Sequence, residues 1–348
     1  MSRCTYCDFF STTNLPRREE YVQALLKEIA DRVPDNNAIS TIYFGGGTPS
    51  ILETEQIARL LNALLGKTPV QPTEITLEAN PGDLNLDKLK ALRAIGFNRL
   101  SIGIQSFDDT ELRFIGRRHN AIQARQAVAE AQKTGWNNIS IDLIYALPGQ
   151  TMETWRRNIT SALELGVQHI SCYCLSYENG TPLTRLMKEG RLKPTDEQTE
   201  NNMYDELCST LKNHGFIHYE VSNFALPGRE AQHNSSYWNN TPYIGLGAGA
   251  HSYDGESRRW NIADLDTYIT HIADGKPYWE DEQLTDEQKK IEHIMLSLRT
   301  RRGLKLTNEL QAKAQPMIDK GLLSLSNGFI TATQEGLHIL NRIIEQLI

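Results

Sequence analysis

Two cysteines three residues apart stand near the start of the chain, in Cys4-Thr5-Tyr6-Cys7-Asp8-Phe9. A C-x-x-C pair can close as a redox dithiol, supply half of a zinc site or donate thiolates to an iron–sulfur cluster. By itself the pair leaves these readings open, beside that of two plain thiols. Zinc needs a second pair of ligands, but Cys172 and Cys174 fall at i, i+2 on a strand pattern, as small core residues do. A thioredoxin-type dithiol follows a strand and opens a helix, and no strand pattern precedes Cys4. Further along, Gly45-Gly46-Gly47-Thr48-Pro49-Ser50 offers backbone that a ligand can approach closely, or a tight strand-to-helix turn. Glu78, Gln105 and Asp142 are polar groups placed at the ends of later strand patterns.

The elements that must position these residues are legible as short β-branched runs over 40–44, 74–79, 99–105, 139–145 and 169–176. Helical patterns separate them. In one, Ile57, Leu60, Leu61 and Leu64 form a single apolar stripe at i, i+3, i+4, i+7. Strands alternating with helices read as βαβ units and a parallel sheet, hence a barrel or part of one. The first helix is expected over 17–32 with no strand before it, so the chain reads as starting in mid-unit. From Thr285 the texture changes. Thr285-x-x-Gln288 is a capping box, Arg301-Arg302-Gly303 a helix end, and a second helix starts at Thr307. Asn327-Gly328 marks a hairpin, and Leu337, Leu340, Ile344 and Leu347 share one face of a last helix.

The 348 residues carry 39% hydrophobic content and a net charge of -7, enough for a sizeable core. That balance argues against a nucleic-acid partner, and residues 285–348 hold nine Lys/Arg against seven Asp/Glu, too small an excess for a DNA reader. No apolar run is long enough to span a bilayer, and no signal peptide is apparent. The five cysteines are an odd count for a disulfide framework. A cytoplasmic protein is expected, with peripheral membrane contact left open.

Taken in order, these segments resemble the anaerobic coproporphyrinogen III oxidase-like group of the radical S-adenosylmethionine (SAM) family over nearly the whole chain. Cys4–Phe9 is similar to the end of its C-x-x-x-C-x-aromatic-C signature. The glycine run, Glu78 in Leu77-Glu78-Ala79-Asn80-Pro81, Gln105 in Ile104-Gln105-Ser106-Phe107 and Asp142 in Ile141-Asp142-Leu143-Ile144-Tyr145 follow in the expected sequence. The resemblance implies an α/β fold: a partial (β/α) barrel of the radical SAM type with a small C-terminal α+β winged-helix-like domain. The boundaries expected are 1–225 for the barrel, 226–284 for an extension and 285–348 for the C-terminal domain. It implies a 4Fe-4S cluster bound by Cys4 and Cys7, with SAM chelating the open iron. Tyr6, Gly46, Gly47, Thr48, Glu78, Gln105, Arg117 and Asp142 would contact SAM. The signature calls for a third cysteine four positions before Cys4, one residue upstream of Met1, so weak cluster binding is expected of this polypeptide.

Within the group, His233-Asn234-Ser235-Ser236-Tyr237-Trp238 resembles the H-N-x-x-Y-W motif of a heme-chaperone branch. Cys7-Asp8-Phe9 differs from the Cys-Gly-Cys of the oxidase branch, and the short N-terminus leaves no room for that branch's extended arm. This implies heme binding and transfer to acceptor proteins, among them respiratory heme proteins. The alternative it implies is oxidation of coproporphyrinogen III. An imidazole beside two aromatic rings suits an axial ligand with flat rings against a macrocycle, which makes His233 a candidate heme ligand. His251, in Gly247-Ala248-Gly249-Ala250-His251, is a second. The competing reading is a packed loop with His233 bonded to backbone and Tyr237 and Trp238 in the core.

Overall fold

The structure is a computed structural model that describes residues 4–12 and 15–348. Helix α1 (Arg18–Arg32) leads into β1 (Thr41–Phe44), α2 (Thr54–Leu65), β2 (Glu74–Ala79), α3 (Leu86–Ala94) and β3 (Arg99–Gln105). Helices α4 (Asp109–Phe114) and α5 (Ala121–Lys133) precede β4 (Ile139–Tyr145), α6 (Met152–Glu164) and β5 (His169–Cys174). The barrel sheet ends with α7 (Pro182–Lys188), α8 (Glu197–Asn213), β6 (Ile217–Glu220) and β7 (Asn223–Ala225). Its strand order is β1-β2-β3-β4-β5-β7-β6, with β1 to β5 parallel and β7 antiparallel to both neighbours. The expected all-parallel sheet is therefore mixed. Only Val221 and Ser222 link β6 to β7, and a link that short can join only antiparallel strands.

Strand alternation divides the sheet into two chemically distinct faces. Ile75, Leu77, Leu100, Ile102, Ile104, Ile139, Ile141, Leu143 and Ile170 point to the helices, where they are buried against Ile57, Leu61, Leu92, Val128, Trp155 and Leu207. The alternate residues on the concave face are mostly polar: Thr41, Tyr43, Glu74, Thr76, Glu78, Arg99, Ser101, Asp142, His169 and Ser171. The concave face is thus where chemistry can sit.

Helix α9 (Gln232–Trp238) follows, so the His233–Trp238 segment is helical, where the competing reading had a packed loop. A small sheet of β8 (His251–Tyr253), β9 (Ser257–Asn261) and β10 (Trp279–Gln283) surrounds α10 (Leu265–Asp274). One buried carboxylate ties this region to α1. Glu28, fully buried, meets Arg32 at 2.7 Å, the Gly247 amide at 2.7 Å, Asn261 Nδ2 at 2.8 Å and the Tyr268 hydroxyl at 2.5 Å.

The C-terminal region holds α11 (Asp286–Ser297), β11 (Leu304–Lys305), α12 (Asn308–Asp319), β12 (Leu323–Ser326), β13 (Phe329–Ala332), α13 (Gln334–His338) and α14 (Leu340–Leu347) around its own apolar cluster. The Thr285/Gln288 capping box is formed, and Asn327 and Gly328 both have positive φ, as a primed hairpin turn requires. Two expectations shift. Helix α11 ends at Ser297, and Gly303 instead turns the chain into β11 against Ile330. The last helix is broken at Ile339 into α13 and α14. Among the described residues no helix is long and apolar enough to cross a membrane.

Candidate SAM and heme site

Residues 4–7 lie over the C-terminal ends of the barrel strands because two backbone bonds pin them there. The Thr5 amide donates to the Ile115 carbonyl at 3.2 Å, and the Leu183 amide donates to Thr5 at 3.0 Å. Tyr6 packs on Ile115, Ile144, Leu147, Leu175 and Leu183, and burial raises its hydroxyl pKa. Cys4 and Cys7 are half-buried and line one large cavity of about 1850 Å³. That volume exceeds the roughly 300–1,000 Å³ typical of small-molecule sites.

Of the remaining residues named from the sequence, Gly46, Gly47, Thr48 and Arg117 line this cavity, whereas Glu78, Gln105 and Asp142 are not in its lining. Tyr43 on β1 donates to Glu78 Oε1 at 2.6 Å, and the Gly46 amide donates to Glu78 Oε2 at 3.2 Å. Burial is the main reason that the Glu78 carboxyl is raised to about 7, with nearby Asp142 adding to it. Asp142 is also raised, chiefly by burial, while Ser171 and Ser101 hydrogen-bond it. It sits at the middle of β4, not at the expected strand end, and reaches the site from the concave face. Gln105 closes β3 with φ +73°, beside a register shift at Gly103. A non-glycine residue held there costs on the order of 1–3 kcal/mol, a strain that clusters at functional sites. Arg117 reaches Cys4 Sγ at 3.4 Å, as well as Asn80 Oδ1 and the Gly103 carbonyl. It thereby connects the cysteine segment to β2 and β3. Gly46, Gly47 and Thr48 line the cavity beside Cys4 and Cys7.

Gly45 is the tight point. A Cβ there would meet Tyr43 Cε1 at 2.4 Å and Glu78 Oε1 at 2.8 Å. Gly45→Ala is expected to push Tyr43 off Glu78 and to cost about 1–3 kcal/mol, read as a lowered denaturation midpoint. A variant with unchanged midpoint and unchanged SAM affinity would contradict this geometry. The raised Glu78 carboxyl has a second consequence. In the folded chain it holds its proton up to about pH 7, whereas the unfolded chain releases it near 4.5. Its stabilising contribution is complete below 4.5 and is lost as pH rises through about 7. Glu78→Gln, which cannot ionise, is expected to flatten the fall in stability across that window in denaturant titrations. An unaltered pH slope would count against a buried acid.

Two residues escaped the sequence reading. Asn80, inside the quoted Leu77–Pro81 stretch, receives Arg117. Arg99, 3% exposed on the concave face of β3, has an Nε without a hydrogen-bond partner among the described residues. Its charge lowers the pKa of both Glu78 and Asp142, offsetting part of their burial. The available signal was an arginine opening an otherwise apolar strand pattern. Cys172 is buried on the helix side as expected, but Cys174 is exposed at the C-terminal end of β5, opposite Tyr145 of β4. None of the five cysteines is in a disulfide, and no group of three or more His, Cys, Asp or Glu arranged to hold a metal occurs among the described residues.

Helix α9 lies against β1 along the wall of the same cavity. Buried Glu74 accepts the Gln232 and His233 amides at 2.9 and 3.0 Å, placing a carboxylate at the helix start. His233 stacks on Tyr43, with ring centroids 4.9 Å apart at 16°. Its Nδ1 pairs with Thr41 Oγ1 at 2.8 Å and its Nε2 with the Tyr237 hydroxyl at 2.9 Å. Tyr237 meets Tyr243 edge-on at 4.8 Å. A row of rings thus runs from the Glu78 partner, Tyr43, through His233 and Tyr237 to Tyr243. Tyr237 is 40% exposed and lines the cavity, while Trp238 is half-buried, is not in the lining and has its Nε1 buried.

Residues 1–161 match the Radical SAM superfamily model. The heme chaperone HemW of Bacillus subtilis is 36% identical over 96% of this chain and 92% of its own length. The chain belongs to the HemW family. The HemW of Lactococcus lactis is 35% identical, covering 99% of this chain and 94% of its own. The mitochondrial radical S-adenosyl methionine domain-containing protein 1 of Bos taurus is 32% identical over 99% of this chain and 84% of its own. Among solved structures, coproporphyrinogen III oxidase (HemN) from Escherichia coli aligns with a TM-score of 0.84 at 24% identity, over 99% of this chain and 87% of its own. That likeness establishes the radical SAM half-barrel fold. HemW membership and the fold agree with the resemblance drawn from the motifs.

Proposed function

We propose that this HemW-family chain binds heme and passes it to acceptor heme proteins, respiratory ones among them, while holding a 4Fe-4S cluster and SAM at the C-terminal mouth of its half-barrel. The observation that carries this reading is one continuous cavity lined both by Cys4, Cys7 and the Gly45–Gly47 turn and by the rings of His233, Tyr237 and Tyr243. Cys4 and Cys7 would hold two irons as thiolates. Tyr6 would pack beside the cofactor, and Gly46, Gly47 and Thr48 would present backbone to the methionyl end of SAM. Glu78, Gln105, Arg117 and Asp142 would meet its polar groups, and a cationic amino group or sulfonium beside Glu78 and Asp142 would favour their ionised forms. The donor set suits the cluster in kind, because soft thiolates select iron–sulfur chemistry, and supplies two of the three ligands that the family signature calls for. When bound, cluster and SAM supply one-electron chemistry; in this reading they support heme transfer.

The aromatic row supports the heme end, since offset and edge-on ring contacts are how aromatic walls bind flat macrocycles. This reading makes the protein cytoplasmic and leaves peripheral membrane contact open. Heme added to the purified chain is expected to bind one to one and to move to an apo-acceptor on mixing. A chain that takes up no stoichiometric heme, yet decarboxylates coproporphyrinogen III anaerobically with SAM and a reductant, would overturn the proposal.

A further inference from the structure

We infer that His251, at the start of β8, is the axial ligand to the iron of the bound heme. The inference rests on the heme-binding reading above and adds the ligand to it. Iron takes the lone pair of a neutral imidazole nitrogen, so the ligand needs a ring nitrogen that is not already committed. Three of the nine histidines line the cavity: His119, His233 and His251. His119 is buried, its Nε2 is held by the Ile104 carbonyl at 3.0 Å, and burial lowers its pKa to about 4. His233 has both nitrogens engaged, by Thr41 and by Tyr237, and one face covered by Tyr43. Ligation there would break a bond that rigidifies the wall.

His251 differs on each count. It is exposed to the cavity, and no hydrogen bond among the described residues reaches its ring. Its backbone is nonetheless fixed. Tyr253, two residues on, exchanges both backbone bonds with Tyr243 at 2.8 and 3.0 Å, and Asn261 donates to the preceding Ala250 at 2.9 Å. Its cross-strand partner is Trp260, whose indole lies 6.3 Å away at 29° and is anchored by its Nε1 donating to Glu280 at 3.2 Å. An imidazole on a rigid strand beside a near-parallel indole is preorganised for a ligand that brings both a metal and a flat ring. Tyr237 and Tyr243 line the same cavity and supply edges for the rest of the macrocycle.

Hemin titration of the full chain, followed by the Soret band and by electron paramagnetic resonance of the ferric iron, tests this. His251→Ala is expected to shift the Soret maximum, alter the ferric spin state and weaken binding by at least about tenfold. Added imidazole should restore the wild-type spectrum. His293→Ala, an exposed histidine outside the cavity, serves as the control that keeps it. A wild-type spectrum in His251→Ala overturns the assignment, as does the loss of ligation in His233→Ala while His251→Ala stays spectrally normal. Failure of the wild-type chain to bind hemin at all would instead strike the heme-binding reading itself.

Discussion

Glu28→Ala is expected to lower the unfolding free energy by about 3–5 kcal/mol, as removal of one partner from a buried ion pair does. The carboxylate is fully buried and has four partners: Arg32, the Gly247 amide, Asn261 and Tyr268. Deleting it leaves the Arg32 charge, only 13% exposed, without its counter-ion and strips the Gly247 amide and Tyr268 hydroxyl of acceptors. Each of those losses is costly because no water replaces the bond inside. The effect should be concentrated where Glu28 joins the two parts, so amide exchange in residues 245–272 should rise more than in β2 to β5. Glu28→Gln keeps the volume and part of the hydrogen bonding, and should cost less. A Glu28→Ala chain whose denaturation midpoint stays within experimental scatter of wild type would refute the network's role. Since residues 245–251 form one wall of the cavity, the same variant should also weaken hemin binding.

The second large effect concerns iron. In a chain loaded with iron and sulfide by anaerobic reconstitution, Cys4→Ala and Cys7→Ala are each expected to lower both contents to well under half of those of the unsubstituted chain, and to lose the remainder on desalting. Cys4 and Cys7 bring their thiols to the barrel mouth, and the other cysteines do not stand in for them. Cys172 is buried on the helix side of β5, Cys208 lies on α8 beside His218, and Cys174, at the C-terminal end of β5, shares the helix-side parity of Cys172. Cys172→Ala and Cys208→Ala should leave both contents unchanged. A Cys7→Ala chain that holds as much iron and sulfide as the unsubstituted one would show that a donor outside this pair serves.

Much of the half-barrel was readable because its sheet is buried against helices on one side, which imposes β-branched runs and an apolar helical stripe at fixed periods. Ile57, Leu60 and Leu61 are buried as their spacing required. The turn chemistry of Asn327-Gly328 and the Thr285 box carried over directly, since caps and primed turns are local devices. Helix and strand ends were less exact. Nothing local distinguishes the stop at Ser297 from one at Gly303; packing of Leu298 and the turn against Ile330 decide it.

What the sequence determined alone is the identity and order of the chemical groups: the cysteine pair, the glycine turn, Glu78, Gln105, Asp142 and the His233 segment. Their order along the chain sufficed because each falls on or just after its own strand, and parallel strands bring such positions together. The tertiary structure decided what those groups are to one another. That Arg117 joins Cys4, 113 residues before it, to Asn80, 37 residues before it, that Arg99 brings its charge to Glu78 and Asp142, and that Glu28 fastens a segment over 200 residues away all depend on long-range packing. A histidine's readiness to bind a metal is likewise no property of its motif. It depends on whether neighbours have already taken its nitrogens, as they have for His233 and have not for His251.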